Sequence, residues 1–509
     1  MSQFLRNSIS GYLSSATTIV IGLLLTPLLV RELGHQVYGV WVLVTSLGIY
    51  LTLLDLGIVD AATRYVATAR AVRDSSQVTA VVSTAFAICL AGGLLSLILT
   101  TVLTFLVLPT LNTPQELLPT AQWLLMSLGI GSTAVLSSRV FDGALRGAQR
   151  YDLANALQIG FSVFLAGGTA LALLLGGGLA GIAWVNLTAG ILLAVGQVVV
   201  GRLAVPDAQL ARHGVQGALA RELVGFSGWV LVTNISSRIY THFDAVLLAI
   251  FLPVRVITPY NLGYRVASLL GEGLYPVMKL LFPIAADLHM RQENDALRRL
   301  LVRGTKVALA ISMAGGVTLW FLGEALIRLW IGPDLEEATP ILYLFVVFFI
   351  ISNTSQPARE VLKGQGSIRL LAVMAVVDTV LNLGLSVLLV QFYGAPGVAV
   401  GSLVAVVLVS LVLLRYTLQH QGIRLYEFIR KVIGPSILPA AGTTALLLVL
   451  GWLLPATGWL ALLTSGLLAV LTFCTLYLLS PGGASERAQL VGRLRQMRSG
   501  TKVPAEEAP

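Results

Sequence analysis

Long apolar stretches alternate with short polar ones along the whole chain. Most apolar stretches hold about 20 residues or more, the length of a helix that crosses the hydrocarbon core of a bilayer. Fourteen such spans can be read: Gly11–Val30, Tyr38–Ile58, Val81–Leu108, Leu117–Leu136, Leu153–Leu175, Leu179–Val200, Val224–Leu252, Thr258–Ile284, Val307–Trp330, Pro340–Ala358, Leu370–Phe392, Gly397–Leu418, Val432–Leu454 and Trp459–Leu479. The pattern predicts an all-α polytopic membrane protein with 14 transmembrane helices. All seven connections on one side are very short, the longest running from Ile331 to Thr339.

The basic residues orient this map. Of 33 Lys and Arg, 28 fall at the ends and in the loops on the side that holds both termini. Arg31, Arg255 and Arg328 lie on the other side, and Arg238 and Arg265 lie inside spans. Lys and Arg accumulate in cytoplasmic loops, so both termini are predicted to be cytoplasmic, in the inner (plasma) membrane. The net charge of +9 is then topological and calls for no nucleic-acid partner.

Composition narrows the classes. Hydrophobic residues make up 56% and charged residues 11%, against roughly 25% charged in soluble domains. A water-soluble enzyme, a disordered chain and a nucleic-acid-binding protein are excluded. The first apolar run is long enough to span and no small-residue cleavage site follows, so it reads as a span and not as a removed signal. Cys89 and Cys474 both lie in apolar runs, which gives no disulfide framework and no metal spacing. There is no catalytic constellation, no Walker loop and no cofactor motif, so no enzyme and no cofactor are expected. A membrane polymerase or ligase for lipid-linked sugars is disfavoured by the short outer connections.

Two segments repeat. Leu145-Arg146-Gly147, within Asp142 to Gln149, matches Leu362-Lys363-Gly364, within Arg359 to Gly366. Gly178-Leu179-Ala180-Gly181-Ile182-Ala183 matches Gly394-Ala395-Pro396-Gly397-Val398-Ala399 at nearly the same offset. Both pairs sit at equivalent places in the span map. The expected organisation is two six-helix lobes, residues 1–210 and 220–420, related by a pseudo-twofold along the membrane normal, as in transporters built from parallel repeats. Two further helices (430–480) and a cytoplasmic tail (481–509) follow.

The first two spans read Thr26-Pro27-Leu28-Leu29-Val30-Arg31-Glu32-Leu33-Gly34, Tyr38-Gly39-Val40-Trp41 and Leu54-Asp55-Leu56-Gly57, ending at Arg64-Tyr65-Val66; Gly147-Ala148-Gln149-Arg150-Tyr151-Asp152 comes later. In these segments, and in helix count and loop lengths, the chain resembles the O-antigen-type polysaccharide flippases of the multidrug/oligosaccharidyl-lipid/polysaccharide exporter superfamily. The resemblance implies two lobes with alternating access, and a polyprenyl-pyrophosphate-linked oligosaccharide flipped from the cytoplasmic to the outer leaflet for cell-surface polysaccharide synthesis. The bilayer and, downstream, polysaccharide polymerase or assembly proteins are the implied partners.

Ionisable residues inside spans mark candidate sites, because each costs about 2.5–3.5 kcal/mol to insert. Arg238 and Arg265 are the first candidates for substrate phosphates, with Arg6, Arg64 and Arg139 at the inner mouth. Asp244, Glu272, Asp55 and Asp378 are candidates for ion pairing or proton coupling. Counted from the outer end of spans 7 and 8, Asp244 and Arg265 lie at one depth, and Arg238 and Glu272 at another, which suggests two acid–base pairs across the hairpin. Gly34, Gly39 and Gly57 are expected to set turns and close helix contacts. Leu490, Val491, Leu494 and Met497 share one helical face of a basic tail. Two other functions remain open: a multidrug or small-cation antiporter of the same superfamily, which favours a net acidic cleft, and a non-transporting scaffold, which the buried charges oppose.

Overall fold

The computed structural model describes residues 3–51, 57–211, 214–454, 456–484 and 486–488, with the side chains of all but 3–16, 18–19 and 224–234. The amphipathic stretch Leu490–Met497 and Asp55 lie outside the described residues, as does the side chain of Arg6. Among the described residues, sixteen α-helices occur in the order α1 (Gln3–Leu51), α2 (Ile58–Ala71), α3 (Ser75–Val102), α4 (Leu118–Gly147), α5 (Tyr151–Leu174), α6 (Gly178–Ala204), α7 (Gly217–Phe251), α8 (Ile257–Lys279), α9 (Leu281–Met290), α10 (Asn294–Trp330), α11 (Ala338–Gly364), α12 (Ile368–Tyr393), α13 (Ala395–His420), α14 (Leu425–Val432), α15 (Gly434–Leu453) and α16 (Trp459–Leu479). No strand occurs among the described residues.

Many helices expose large apolar side chains: Ile98 is 62% exposed, Leu106 67%, Trp452 84% and Leu460 79%. Such surface is untenable in water and needs no cover in hydrocarbon, so this is a multi-pass membrane protein. Twelve stretches of the described residues are long and apolar enough to cross a bilayer. The expected fourteen differ at two places. Residues 20–51 form one stretch, although α1 breaks at Gly34 (φ 71, ψ 167) and its two arms coincide with the first two expected spans. The seventh expected span coincides with α7, which is not among the twelve.

Proline explains a further difference. Expected span 8 is interrupted between α8 and α9 at Leu280. Pro283 has no N–H to give the Lys279 carbonyl, so the regular ladder cannot continue across that turn. An expected loop also holds structure. The eight residues of α14 bury Phe428 and Val432 on a core with Leu297, Leu301 and Leu418.

The chain divides into two compact units, Met1–Asn261 with Val387–Val398, and Leu262–Ser386 with Ala399–Pro509. In the first, α4 packs on α2, α3 and α6, while α1 packs on α5 and α7. Its core joins Ala62 and Val66, Val81 and Ala85, Phe141 and Leu145, with Leu223 of α7. In the second unit, α10 packs on α9, α11, α15 and α16. α7 packs on α1, α2 and α3, within the first compact unit.

Helix breaks recur at nearly constant spacing. Left-handed residues end helices at Arg73 and Gln292, at Gln149 and Gly366, and at Gly176 and Gly394. These pairs are 219, 217 and 218 residues apart. The two Leu-basic-Gly segments also do the same work. At Gly147 a Cβ would lie 2.8 Å from the Thr63 carbonyl oxygen of α2, and at Gly364 a Cβ would lie 2.8 Å from the Ala286 amide nitrogen of α9. Each glycine lets the end of a long helix press against a short neighbour.

Candidate functional site

In the first unit, the Tyr38-Gly39 segment closes onto residues 254–261. Gly39 has no Cβ because one would sit 2.5 Å from the Val254 carbonyl oxygen. Tyr38 donates its hydroxyl to Asn261 Oδ1 at 3.1 Å, and the Thr258 hydroxyl donates to the His35 carbonyl. Gly34 supplies the break in α1, and Gly57, at φ 70, starts α2 from the left-handed region. Gly34 and Gly57 thus sit at helix breaks and Gly39 at a close contact.

This contact places an acid beside a phenol. Asp244 of α7 accepts a hydrogen bond from the Tyr260 hydroxyl at 2.5 Å. The buried hydroxyl of Tyr50 on α1 has no hydrogen-bond partner among the described residues. Arg238 lies six residues before Asp244 and is exposed. It makes no ion pair among the described residues. His242, one turn from Arg238, is half-buried.

In the second unit, α8 carries Arg265, Ser268 and Glu272 on one face. Arg265 Nη1 lies 3.5 Å from Glu272 Oε1, and Ser268 donates to the same oxygen at 3.2 Å. Seven residues make two helical turns, so the pair lies along its own helix. The partners suggested from matched depth were Arg265 with Asp244 and Arg238 with Glu272. Within its own unit, Arg265 holds Glu272 and Asp244 holds Tyr260.

Beside this face, Tyr264 meets Phe345 edge-on at 5.0 Å. Asn353 of α11 donates to the Leu270 carbonyl at 3.1 Å and to the Ser312 hydroxyl of α10 at 3.1 Å. Asp378 of α12 is 7% exposed. Arg359 of α11 reaches one of its oxygens at 4.0 Å, while Oδ1 is buried with no hydrogen-bond partner among the described residues. One turn on, Asn382 donates to Ser402 of α13 at 2.7 Å.

The remaining candidates stand apart from these groups. Arg139 is half-buried on α4. Arg64 is exposed on α2, a helix outside the apolar spans. Its neighbour Tyr65 donates to Glu222 at 2.6 Å, and that hydrogen bond raises the phenol above its ordinary range. Among the described residues no group of His, Cys, Asp and Glu is arranged to hold a metal ion. Sequence reasoning missed Tyr260 beside Asp244, because a phenol in a span carries no charge to flag it. It placed Arg359 among loop cations. The four-residue step from Asp378 to Asn382 was a readable signal.

With the geometry in hand, comparison with known families decides the class. The polysaccharide biosynthesis protein family model matches residues 4–289, more than half of the chain. The chain belongs to the polysaccharide biosynthesis protein family. A second model, MatE, matches residues 230–388. Among curated relatives, the Haloferax volcanii protein named "Probable flippase AglR" is 22% identical over 37% of this chain and 40% of its own length. The chain spans 39 to 45% of the length of the curated relatives it matches.

Solved structures show how far this polysaccharide biosynthesis family member shares its fold. The lipid II flippase MurJ in an inward closed conformation matches with TM-score 0.67 and 16% identity over 93% of this chain and 98% of that one. An inward-facing multidrug resistance MATE family transporter of the MOP superfamily matches with TM-score 0.66 and 14% identity over 83% and 98%. The fold is that of the MOP superfamily transporters.

Proposed function

We propose that this protein moves an oligosaccharide linked to a polyprenyl pyrophosphate from the cytoplasmic to the outer leaflet, with access alternating between the two sides, and delivers it to polysaccharide-assembly proteins. The observation that carries this reading is the family match over residues 4–289. A charged glycan head cannot cross about 30 Å of hydrocarbon unaided. Arg238, exposed on α7, and Arg265, half-exposed within a span, supply what the phosphates need. Guanidinium binds phosphate oxygens in pairs and keeps its charge at low polarity. Glu272 holds Arg265 until a phosphate replaces it, and Asp378, with one oxygen left over, is the candidate coupling acid.

The recurring helix breaks support a duplication into lobes 1–210 and 220–420. The uneven distribution of Lys and Arg supports termini on the cytoplasmic side. Cysteines introduced at Thr113 and Thr457 should react with an impermeant reagent added outside intact cells, and one at Ser75 should not; outside labelling at Ser75 contradicts the orientation. Depletion of the protein in its host should lower surface glycan while the lipid-linked oligosaccharide accumulates in the inner leaflet. Normal surface glycan after full depletion removes the proposed role.

The MatE match over residues 230–388 favours a second reading, the export of small organic cations. In that case Asp244, Glu272 and Asp378 are the binding groups, and the arginines only neutralise them. Export of such cations against an ion gradient, with no movement of the glycan lipid, selects this alternative.

A further inference from the structure

Half of the apolar side of α14 is exposed. At 3.6 residues per turn, Leu425, Ile429 and Tyr426 share an arc of about 100°, with Phe428 and Val432 flanking it on one side and Arg430 on the other. Phe428 and Val432 are buried, whereas Leu425 is 58% exposed, Tyr426 76% and Ile429 44%. Glu427 and Lys431 occupy the opposite side of the helix, where they pair at 2.6 Å. Arg430 is exposed and makes no ion pair among the described residues. It follows Tyr426 by four residues, so it stands at the edge of the exposed apolar arc.

The buried half fixes the level of the helix. Phe428 and Val432 share a core with Ala358 and Leu418, which end two of the apolar spans. The same core holds Leu297 and Leu301, which precede the apolar part of α10. α14 therefore sits where spans end, at the boundary between hydrocarbon and water. Pro435 has no N–H to continue the ladder of α14, so α15 starts anew at Gly434. Exposed apolar side chains continue across this break: Ile433 is 44% exposed, Ile437 60% and Leu438 61%. α15 lies in a stretch apolar enough to cross a bilayer, so lipid covers Ile437 and Leu438, and the same layer reaches Ile433 and Ile429. The flanking residues suit its polar edge. A tyrosine ring favours the headgroup level, and a guanidinium forms strong hydrogen bonds to phosphate oxygens.

We infer that α14 lies in the headgroup layer of the bilayer, with Leu425, Tyr426 and Ile429 seated in one leaflet and Arg430 at its phosphates. Phe428 and Val432 tie the helix to α10, and the Glu427–Lys431 pair faces water. In the orientation proposed above the leaflet is the inner one. The inference does not depend on which substrate the protein moves.

Spin labels on the full-length protein in nanodiscs of dioleoyl phosphatidylglycerol test it. Single cysteines replace Tyr426, Glu427, Ile429 or Lys431 in a background with Cys89→Ser and Cys474→Ser, and size-exclusion profiles report whether each variant is folded. Oxygen concentrates in lipid and a nickel chelate stays in water. Collisions with the two should place the Ile429 probe about 5–10 Å below the phosphates. The Tyr426 probe should also favour oxygen, and the Glu427 and Lys431 probes should favour nickel. Arg430→Glu, combined with the Ile429 probe, should shift that probe toward water, because it sets a carboxylate against phosphate. Equal nickel access at all four positions overturns the inference and places the helix in water. Protection of the Tyr426 and Ile429 probes from both reagents overturns it as well, and assigns the face to a protein segment. An unchanged depth in folded Arg430→Glu protein overturns the contact between Arg430 and phosphate.

Discussion

Replacing both members of the α8 pair, Arg265→Ala together with Glu272→Gln, should leave the protein at normal levels while glycan-lipid flipping falls about ten- to a hundredfold. Arg265 alone changed to Ala leaves the Glu272 carboxylate half-buried within a span without its cation, and removing one partner of such a pair is more damaging than removing both. Protein levels of the single variant should fall. The double variant removes both charges and keeps Ser268 to bond the remaining amide, so the helix inserts. What it lacks is the guanidinium. A hydrogen bond between charged groups contributes about 1.5–3 kcal/mol, and each 1.4 kcal/mol is about tenfold. Arg238→Ala should cost transport without this effect on protein level, because Arg238 makes no ion pair among the described residues and no acid is left behind. Quantitative blotting beside a flipping assay reads both quantities. If the double variant and Arg238→Ala each flip at the normal rate, phosphate recognition by these arginines is wrong.

A second large effect concerns the two glycines that end α4 and α11. Gly147→Val and Gly364→Val should each lower folded yield and melting temperature to a similar extent. At Gly147 a Cβ would lie 2.9 Å from the Val66 Cβ as well as 2.8 Å from the Thr63 carbonyl. At Gly364 the Ala285 Cβ would lie 2.7 Å away. The obstacles are backbone and the first atoms of short side chains, which cannot rotate aside. Overpacking of this kind costs roughly 1–3 kcal/mol, and a branched side chain makes it worse. Gly167→Ala, where a Cβ would meet nothing within 4 Å, should change little. Size-exclusion profiles and melting curves compare the three. Tolerance of valine at one site and not the other contradicts equivalent roles for the two segments.

The fold was legible for a simple reason. A span must hold an apolar run of fixed length, and Arg64, Arg146, Arg299 and their like punctuate those runs. Helix breaks were legible where glycine marked them, as at Gly34 and Gly394. They were hidden at Gln149 and Gln292, which adopt left-handed backbone without a glycine to signal it. α14 was missed because eight amphipathic residues are too few to register beside spans of 20 and more. The candidate site was half legible. Charge within the apolar pattern singled out Asp244, Arg265, Glu272 and Asp378 as candidates, and the seven-residue step put Arg265 and Glu272 on one face. Their partners depend on how helices are rotated about their axes. That rotation comes from contacts such as Gly39 against Val254, which a hydropathy pattern does not contain.

The most direct measurement is transport by the purified protein in sealed proteoliposomes holding a fluorescent polyprenyl-pyrophosphate oligosaccharide. A reagent that destroys exposed fluorophore reports how much lipid stays in the outward leaflet. With the protein present, the protected and exposed pools should exchange during the assay, and faster under an imposed ion gradient than without one. Protein-free vesicles should keep the two pools separate. If the pools exchange no faster with the protein than without it, while the same vesicles move a small organic cation against a proton gradient, the flippase account is contradicted.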